Sequence, residues 1–487
     1  MATIYVETVG HTKRFDVINM SLLFWPGSKI SENSKGVCDV LIKSVVTVTE
    51  NKYRAFARIR YKNQYYSCTR SFICESEEDI LRYVKQSIFL AGQKATGITP
   101  PWGILTGIRP MSVFEKLSRR YSSTHAGQLL EKQYFLSPQK RKILETIYSF
   151  RQSVYFGGIE NEASLYVSIP FCPSKCSYCS FVSSAVERVK KLIEPYLVQL
   201  LKEIEKKIDI LYSVGKTIAT VYIGGGTPGI LSAEQIDRLL SLIFSKLRAP
   251  LKEFCFEIGR PETVTAEKLL ILKKYPVDRL CINCQTLNDA VLENIGRKHT
   301  AKQFIDALRL AKEYGFNNIN VDYIAGLPTE TADSHIASIQ QSIDADVSNI
   351  TIHSLSIKKA STWLCPDDLY DPASDTVGQM LSKGYALLEQ NGYYPYYIYR
   401  QKNTLSNGEN IGYAKPDTIG KYNIYMMEDV HTVIGCGAGA STKIIHQHNG
   451  RIDRFVNTKY PQEYLKFPEQ LEQSIEAIRE NLKGSEI

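Results

Sequence analysis

Hydrophobic and polar positions change their period along the chain, and the period divides the chain into segments. In residues 53–62 (YRAFARIRYK) apolar and basic side chains alternate, which predicts a strand with one buried and one basic face. A helical period follows over residues 77–96, and then a turn rich in proline and glycine over 100–110 (PPWGILTGIRP). We therefore predict an α+β N-terminal domain over residues 1–160.

Residues 161–360 alternate short apolar runs with amphipathic stretches of helical period. The candidate strands are residues 165–170, 219–224, 253–257, 279–283, 319–323 and 349–353. Such strand–helix repeats predict a parallel sheet with helices outside it. Six repeats are too few to close a barrel of eight units. The predicted fold class is thus α/β, a partial (β/α)6 barrel with functional side chains at the carboxyl ends of its strands.

Residues 361–487 carry a less regular pattern. Helical periods cover 375–391 and 462–482, and an aromatic strand (YYPYYIY) is predicted at 393–399. A glycine-rich stretch, GCGAGAS at 435–441, is typical of a turn. This segment is expected to form a smaller α+β C-terminal domain.

Composition narrows the class of protein. The chain has 487 residues and a net charge of +8 without a long run of Lys or Arg, so we expect no nucleic-acid partner. No stretch approaches the ~20 apolar residues of a membrane span, and the N-terminus does not resemble a signal peptide. Eleven cysteines, an odd number, indicate reduced thiols rather than a disulfide framework. We expect a cytoplasmic monomer in which some thiols bind metal.

The cysteine array that follows the first candidate strand carries the clearest chemistry. In LYVSIPFCPSKCSYCSF (165–181), Cys172, Cys176 and Cys179 form a CxxxCxxC pattern. Three thiolates on one loop can each bind one iron of a cubane cluster and leave the fourth iron open to a small chelating molecule. A zinc loop would need a fourth ligand nearby, and three buried structural cysteines are the other alternative. The array therefore predicts a [4Fe–4S] cluster.

Polar residues and glycines stand at the ends of other candidate strands. The second strand runs into IGGGTP (223–228), where glycine lets the backbone approach a ligand closely. Glu257, Gln285 and Asp322 stand at three further strand ends, and Arg297 adds a cation that suits a carboxylate. Each of these residues alone is also compatible with a helix cap or a core hydrogen bond. Together they predict a polar ligand site beside the cysteine loop.

These motifs resemble the radical S-adenosylmethionine (SAM) superfamily. The resemblance implies that SAM chelates the open iron through its amino and carboxylate groups, and that GGGTP supports the amino group. It also implies that one electron from the cluster cleaves the C5′–S bond of SAM, and that the resulting 5′-deoxyadenosyl radical removes a hydrogen atom from the substrate. The expected cofactors are therefore the cluster and one or two molecules of SAM.

Within that superfamily, residues 160–360 resemble the HemN-like group of oxygen-independent coproporphyrinogen III dehydrogenases. The similar motifs are LYVSIPFC, GGGTP, the stretch around Gln285, the Gly296-Arg297 step and NVDYIAGLP (320–328). The whole chain is most similar to the HemZ type, through its long N-terminal extension, PPWGILTGIRP, and GYAKPDTIGKYNIYMME (412–428).

The resemblance assigns roles to particular residues. It implies Cys172, Cys176 and Cys179 as the cluster ligands, and Tyr166 and Arg297 as catalytic residues. The residues that it implies to contact SAM are Tyr166, Tyr178, Gly225, Gly226, Thr227, Glu257, Gln285, Arg297, Asp322, Ile324 and Ser354.

The implied reaction is the oxidative decarboxylation of two propionates of coproporphyrinogen III to vinyl groups, which yields protoporphyrinogen IX. Flavodoxin or ferredoxin is the implied electron donor. Two departures leave alternatives open: Phe181 stands where HemN-type proteins have a fourth cysteine, and residues 422–425 (YNIY) lack the tryptophan of the HNxxYW stretch of related haem chaperones. The alternatives are a haem-binding chaperone and a porphyrin-modifying methyltransferase.

The basic positions of the strand at residues 53–62 allow two interpretations. Arg54, Arg58, Arg60 and Lys62 share one face of the strand. The face is either a solvated outer surface or a docking surface for an acidic electron donor.

Overall fold

The computed structural model of the protein describes residues 2–32, 38–50, 52–107, 109–153, 161–179, 184–356, 375–401, 404, 407–446 and 449–484. These residues form two compact units. The first unit holds the described residues up to Phe150 together with those of the stretch Tyr399–Glu409. The second unit holds the described residues between Arg151 and Ile398 and those from Asn410 onward.

The first unit is built on a five-stranded sheet in the order β2-β1-β3-β4-β5. Its elements are β1 (Thr3–Val9), α1 (Arg14–Ser21), β2 (Lys29–Ser31), β3 (Val40–Thr49), β4 (Lys52–Tyr61), β5 (Gln64–Ile73), α2 (Glu77–Thr96), α3 (Pro110–Arg120), α4 (Ser123–Tyr134) and α5 (Pro138–Ser153). Helix α2 matches the predicted bounds because a capping box at Ser76 begins it and Gly97, in the left-handed conformation, ends it.

The period-two prediction for β4 is confirmed. Ala55, Ala57 and Ile59 are fully buried in the core of this unit, while Arg54 and Arg58 are exposed. Alternation along a strand places successive side chains on opposite faces, so one face of the sheet packs into the core and the other is basic.

The second unit contains all six predicted strands. Its elements up to residue 354 are β6 (Glu162–Ile169), β7 (Phe171–Cys172), β8 (Ser184–Ala185), α6 (Val186–Val189), α7 (Ile193–Ser213), β9 (Thr217–Gly225), α8 (Ala233–Lys246), β10 (Glu253–Gly259), α9 (Ala266–Lys273), β11 (Arg279–Ile282), α10 (Asp289–Asn294), α11 (Ala301–Glu313), β12 (Ile319–Ala325), α12 (Ala332–Asp344) and β13 (Asn349–Ser354). Strands β6, β9, β10, β11, β12 and β13 lie side by side in chain order, and every neighbouring pair is parallel.

The remaining elements extend this sheet at both edges. They are α13 (Thr376–Gln390), β14 (Tyr394–Arg400), β15 (Glu409–Ala414), α14 (Lys421–Met427), β16 (Thr432–Cys436), β17 (Ser441–Ile445), β18 (Ile452–Val456), α15 (Pro461–Lys466) and α16 (Pro468–Gly484). The order of the described strands is β14-β15-β13-β12-β11-β10-β9-β6-β16-β17-β18, so the sheet is open.

Strand β16 is one of the strands that the sequence pattern did not predict. The sequence pattern at residues 435–441 predicts only a turn, but Gly435 and Cys436 end strand β16, which pairs in parallel with β6. Seven described strands, from β16 to β13, therefore run parallel. Strand β16 has five residues, one of them glycine, which are too few to show a hydrophobic period. Its partner strand β6 lies far away in the sequence.

The predicted boundary at residues 360 and 361 stays a prediction. Strands β15 and β16, from the predicted C-terminal domain, pair with β13 and β6 of the predicted barrel. The helix predicted at 462–482 is divided, since α15 ends at Lys466 and Pro468 begins α16. No helix in the described parts of the chain is both long and apolar enough to cross a bilayer.

Candidate active site

The cysteine loop leaves the sheet at the carboxyl end of β6, as the sequence predicts. Cys172 and Cys176 are buried and Cys179 is half-buried. The backbone N–H of Ser177 donates to Ile295 O at 3.2 Å, and Ser174 Oγ donates to Gly296 O at 3.3 Å. The loop is thus tied to the end of α10. In the described part of the chain, no group of three or more His, Cys, Asp or Glu side chains is arranged as metal ligands.

Two polar side chains contact the thiols. Thr227 Oγ1 lies 3.5 Å from Cys172 Sγ, and Arg260 Nη2 lies 3.1 Å from Cys176 Sγ. The three cysteines form an all-sulfur donor set on one loop, which suits an iron–sulfur cluster and does not suit a hard cation. The residues present therefore fit the cofactor that the sequence predicts.

The glycine run of residues 224–226 lies directly against this loop. The N–H of Gly226 donates to Ile169 O at 2.8 Å, and the N–H of Thr227 donates to Phe171 O at 2.7 Å. Gly225 has a φ of +105°, and a Cβ on Gly226 would lie 2.6 Å from Phe171 O. The turn needs glycine both for its backbone conformation and for this close approach.

Two carboxylates on strands β10 and β12, on either side of β11, interact electrostatically. Glu257 Oε1 accepts a hydrogen bond of 3.0 Å from Asn283 Nδ2, and Asp322 Oδ1 accepts one of 2.8 Å from Asn320 Nδ2. Burial and then the charge of Asp322 raise the pKa of Glu257 to about 8. His353 Nε2 lies 3.9 Å from Asp322 Oδ2. The site thus combines two carboxylates, of which Glu257 is readily protonated.

Gln285 joins the ends of β11 and β12. Its N–H donates to Asp322 O at 2.9 Å, and its carbonyl accepts from the N–H of Ile324 at 3.1 Å. Its φ of +75° is unusual for a residue other than glycine, and the residue is buried. The backbone therefore brings Gln285, Asp322 and Ile324 together.

Arg297 contacts the cysteine loop at Tyr178. Its Nη2 and Nε atoms lie 3.0 and 3.3 Å from Tyr178 OH, and its Nη1 atom donates to Asn283 O at 3.2 Å. Burial alone would disfavour its charge, but Tyr178 and Cys176 outweigh that effect and raise the pKa of Arg297. The guanidinium stays charged beside the predicted cluster ligands.

Tyr166 lies at one end of a row of three tyrosines. Its ring is 6.2 Å from that of Tyr222, which stacks on Tyr422 at 4.8 Å. Burial and then the charge of Glu257 raise the pKa of Tyr166, so its phenol stays protonated. Ser354 ends β13, and its N–H donates to Asn410 Oδ1 at 3.1 Å.

The structure thus connects most of the predicted residues, in three groups. Asn283 joins Glu257 to Arg297, and Arg297 contacts Tyr178. Backbone hydrogen bonds join Gln285 to Asp322 and Ile324, and Thr227 and the glycines border Cys172. Ser354 is held at the end of β13 by its hydrogen bond to Asn410, and its role toward SAM stays a prediction.

Sequence reasoning missed Arg260, Asn283 and His353. Asn283 stands inside the motif around Gln285, two positions before it, so its place at a strand end was available as a signal. Arg260 directly follows β10 in GRPE (259–262), but nothing in the sequence pattern indicates that it turns toward the cysteines.

Comparisons with known proteins agree with this geometry. The profile of the Radical SAM superfamily matches residues 166–341. The oxygen-independent coproporphyrinogen-III oxidase-like protein HemZ of Bacillus subtilis is 34% identical over 92% of this chain and 91% of its own length. The heme chaperone HemW of the same organism is 31% identical over 57% of this chain and 70% of its own length.

Among solved structures, coproporphyrinogen III oxidase (HemN) from Escherichia coli has a TM-score of 0.52 and is 24% identical. The similarity covers 66% of this chain and 72% of HemN, and at this identity it concerns the fold. The six predicted strands and the α/β class are consistent with that fold. The chain belongs to the radical SAM superfamily, in the group that includes HemZ and HemN, and its cofactors are a [4Fe–4S] cluster and SAM.

Proposed function

We propose that this protein is an oxygen-independent coproporphyrinogen III dehydrogenase. It would convert two propionates of coproporphyrinogen III to vinyl groups with loss of carbon dioxide and yield protoporphyrinogen IX. The observation that carries the proposal is the similarity to a coproporphyrinogen-III oxidase-like protein over 92% of the chain, which includes both units. The polar network beside the cysteine loop supports it.

The cluster ligands in this proposal are Cys172, Cys176 and Cys179. When bound, the cluster and SAM supply the one-electron chemistry that removes a hydrogen atom from the substrate. The chain's own contribution is to hold that chemistry at the carboxyl ends of the strands, where the loop is tied by Thr227 and Arg260.

The SAM contacts follow from the chemistry of each group. The Glu257 and Asp322 carboxylates and the Gln285 amide suit ribose hydroxyls and a sulfonium, and the glycine turn offers carbonyl oxygens to an ammonium group. The buried charge of Arg297 suits the SAM carboxylate. Arg297 and Tyr166 are the proposed catalytic residues, as the family resemblance implies. Arg297 contacts Tyr178 of the cysteine loop, and Tyr166 lies on β6, the strand that the loop follows. The number of bound SAM molecules, one or two, stays a prediction.

The substrate in this proposal is a tetrapyrrole with four carboxylates. A chain of net charge +8 attracts such an anion. A flavodoxin or ferredoxin is the proposed electron donor, and the exposed Arg54 and Arg58 of β4 form its proposed docking face. The cytoplasmic location and the monomeric state stay predictions.

The docking face can be tested by charge reversal. Arg54→Glu with Arg58→Glu should lower the rate supported by an acidic donor and leave the dithionite-driven rate unchanged. Arg309→Glu, on the exposed surface of α11, is the matched control. Rates that respond neither to salt nor to the double reversal would contradict the docking face.

A haem-binding chaperone is the second candidate, because HemW proteins are also similar to this chain. Tyr422 and Tyr425 of the stretch that differs from the chaperones are buried, with 6% and 1% of their surface exposed. Neither phenol is therefore presented to a haem iron, which favours the dehydrogenase. A porphyrin-modifying methyltransferase is the third candidate.

Anaerobic incubation with coproporphyrinogen III distinguishes these functions. We expect the reconstituted protein, SAM and dithionite to produce a tetrapyrrole that has lost two carboxyl groups, identified by mass spectrometry. Cys179→Ala should produce none. Stoichiometric haem binding with no tetrapyrrole product would favour the chaperone, and a product heavier by methyl groups would favour the methyltransferase.

A further inference from the structure

A second arginine besides Arg297 contacts the cysteine loop. Arg260 is 3% exposed and directly follows β10. Its Nη2 atom lies 3.1 Å from Cys176 Sγ and 2.5 Å from Ser174 O, and its Nη1 atom lies 2.8 Å from Ser174 Oγ. One guanidinium thus contacts a sulfur and two oxygens of the same loop.

Residues that follow Arg260 in the sequence, together with His299, fix the orientation of this guanidinium. Arg260 Nη1 lies 3.4 Å from Glu262 Oε1, and Glu262 Oε2 lies 3.4 Å from Nδ1 of the buried His299. The backbone oxygen of Arg260 also accepts from Thr263 Oγ1 at 2.7 Å. A planar fork of five donors can make such contacts simultaneously, whereas an ammonium group on a flexible stem cannot reproduce them.

We propose that Arg260 is a positioning residue for the iron–sulfur cluster. It orients the cysteine loop through Ser174 and keeps an N–H donor and a positive charge at the sulfur of Cys176. This inference rests on the proposed cluster ligands. It concerns a residue that neither the sequence motifs nor the family resemblance assigned.

The expected effect is on the reduction potential. Hydrogen bonds to the sulfurs and the net charge nearby set the potential of an iron–sulfur cluster, and contacts beyond the ligands tune metal sites generally. A cation at a thiolate favours the more negative, reduced state. Arg260 therefore raises the potential at which the cluster accepts an electron.

The test is a redox titration of the reconstituted protein without SAM or substrate, followed by electron paramagnetic resonance. Arg260→Gln should load iron and, at the wild-type midpoint, show a ratio of reduced to oxidised cluster about tenfold lower, which corresponds to ~59 mV for one electron. Arg260→Lys should shift the midpoint less. Arg238→Gln, an exposed arginine of α8 paired with Glu194, is the matched control and should not shift it.

A fully loaded Arg260→Gln protein with the wild-type midpoint would overturn the proposal. If Arg260→Gln does not fold, Arg260→Lys decides in its place: a lowered midpoint supports the proposal, and a wild-type midpoint overturns it. Cys176→Ala separates this inference from the proposed function. Wild-type iron content in that variant would show that the proposed ligands are wrong, whatever the Arg260 variants do.

Discussion

At the residue scale, the pair formed by Glu257 and Asp322 gives the site its pH dependence. Burial and the neighbouring carboxylate favour the protonated form of Glu257, and its pKa is about 8. Asp322, with an amide donor from Asn320 and His353 nearby, supplies the second carboxylate. A cationic ligand at this position favours ionisation of Glu257, so SAM binding should release a proton near neutral pH.

The first prediction concerns Glu257→Gln and stability. In the folded protein Glu257 keeps its proton up to about pH 8, whereas in the unfolded chain the carboxyl ionises near its ordinary pKa of 4.5. The folded state therefore binds more protons in this window, and the free energy of unfolding falls as the pH rises from about 4.5 to about 8. Glu257→Gln should remove this part of the slope, measured by urea unfolding of the metal-free protein. Parallel slopes in variant and wild type would contradict the assignment.

The second prediction concerns Asp322→Ala. Loss of this carboxylate should weaken SAM binding by at least about tenfold, since a charge-assisted hydrogen bond contributes about 1.5–3 kcal/mol. Iron content should stay at the wild-type level because Asp322 is not a proposed ligand. Calorimetry and iron analysis measure the two effects, with Asp333→Ala on the exposed start of α12 as control. Equal SAM affinity in variant and wild type would remove Asp322 from the site.

At the element scale, the glycine turn after β9 and the cysteine loop after β6 form one structure. Hydrogen bonds from Gly226 and Thr227 to Ile169 and Phe171 continue the pairing of the two strands into their loops. This pairing sets the distance between the turn and Cys172. The turn therefore positions the cysteine loop as well as any ligand.

The third prediction concerns Gly226→Ala. The new Cβ would lie 2.6 Å from Phe171 O, a backbone atom that moves only with the strand end. We expect a loss of stability of about 1–3 kcal/mol and reduced iron loading. Gly107→Ala, where a Cβ meets no atom within 4 Å, is the matched control. Normal iron loading in Gly226→Ala would show that the turn does not position the loop.

Local pattern explains which elements the sequence predicts. The six strands are predicted because each is an apolar run between amphipathic helices. Helix α2 is predicted because the residues that cap it are adjacent to it in the sequence. Strand β16 is missed because its partner β6 lies far away in sequence, and Arg260 because its contact with Cys176 depends on a loop conformation. Residues in motifs can thus be predicted from sequence, whereas residues that support them through tertiary contacts cannot.

At the scale of the whole second unit, a buried ion pair ties the C-terminal strands to helix α7. Glu203 and Lys207 are fully buried and 2.7 Å apart. The Glu203 carboxylate also accepts hydrogen bonds from Gly437 N at 2.8 Å, Asn457 Nδ2 at 2.7 Å and Tyr464 OH at 2.6 Å. These contacts hold the turn after β16 against helix α7.

The fourth prediction concerns this pair. Glu203→Ala leaves the Lys207 charge buried without its carboxylate partner, so we expect a loss of about 3–5 kcal/mol in the free energy of unfolding. Glu203→Leu combined with Lys207→Leu should cost less, because no uncompensated charge remains. Chemical unfolding measures both, with the half-exposed Glu205→Ala as control. A double variant less stable than Glu203→Ala would contradict this explanation.

The central proposal is that the edge of the sheet beside residues 172–179 supports oxidative decarboxylation with SAM as oxidant. The most direct measurement is the ratio of methionine to protoporphyrinogen IX formed under anaerobic conditions. If the protein is this dehydrogenase, we expect two methionines for each protoporphyrinogen IX, with two molecules of carbon dioxide released. Cleavage of SAM that leaves coproporphyrinogen III unchanged would contradict it.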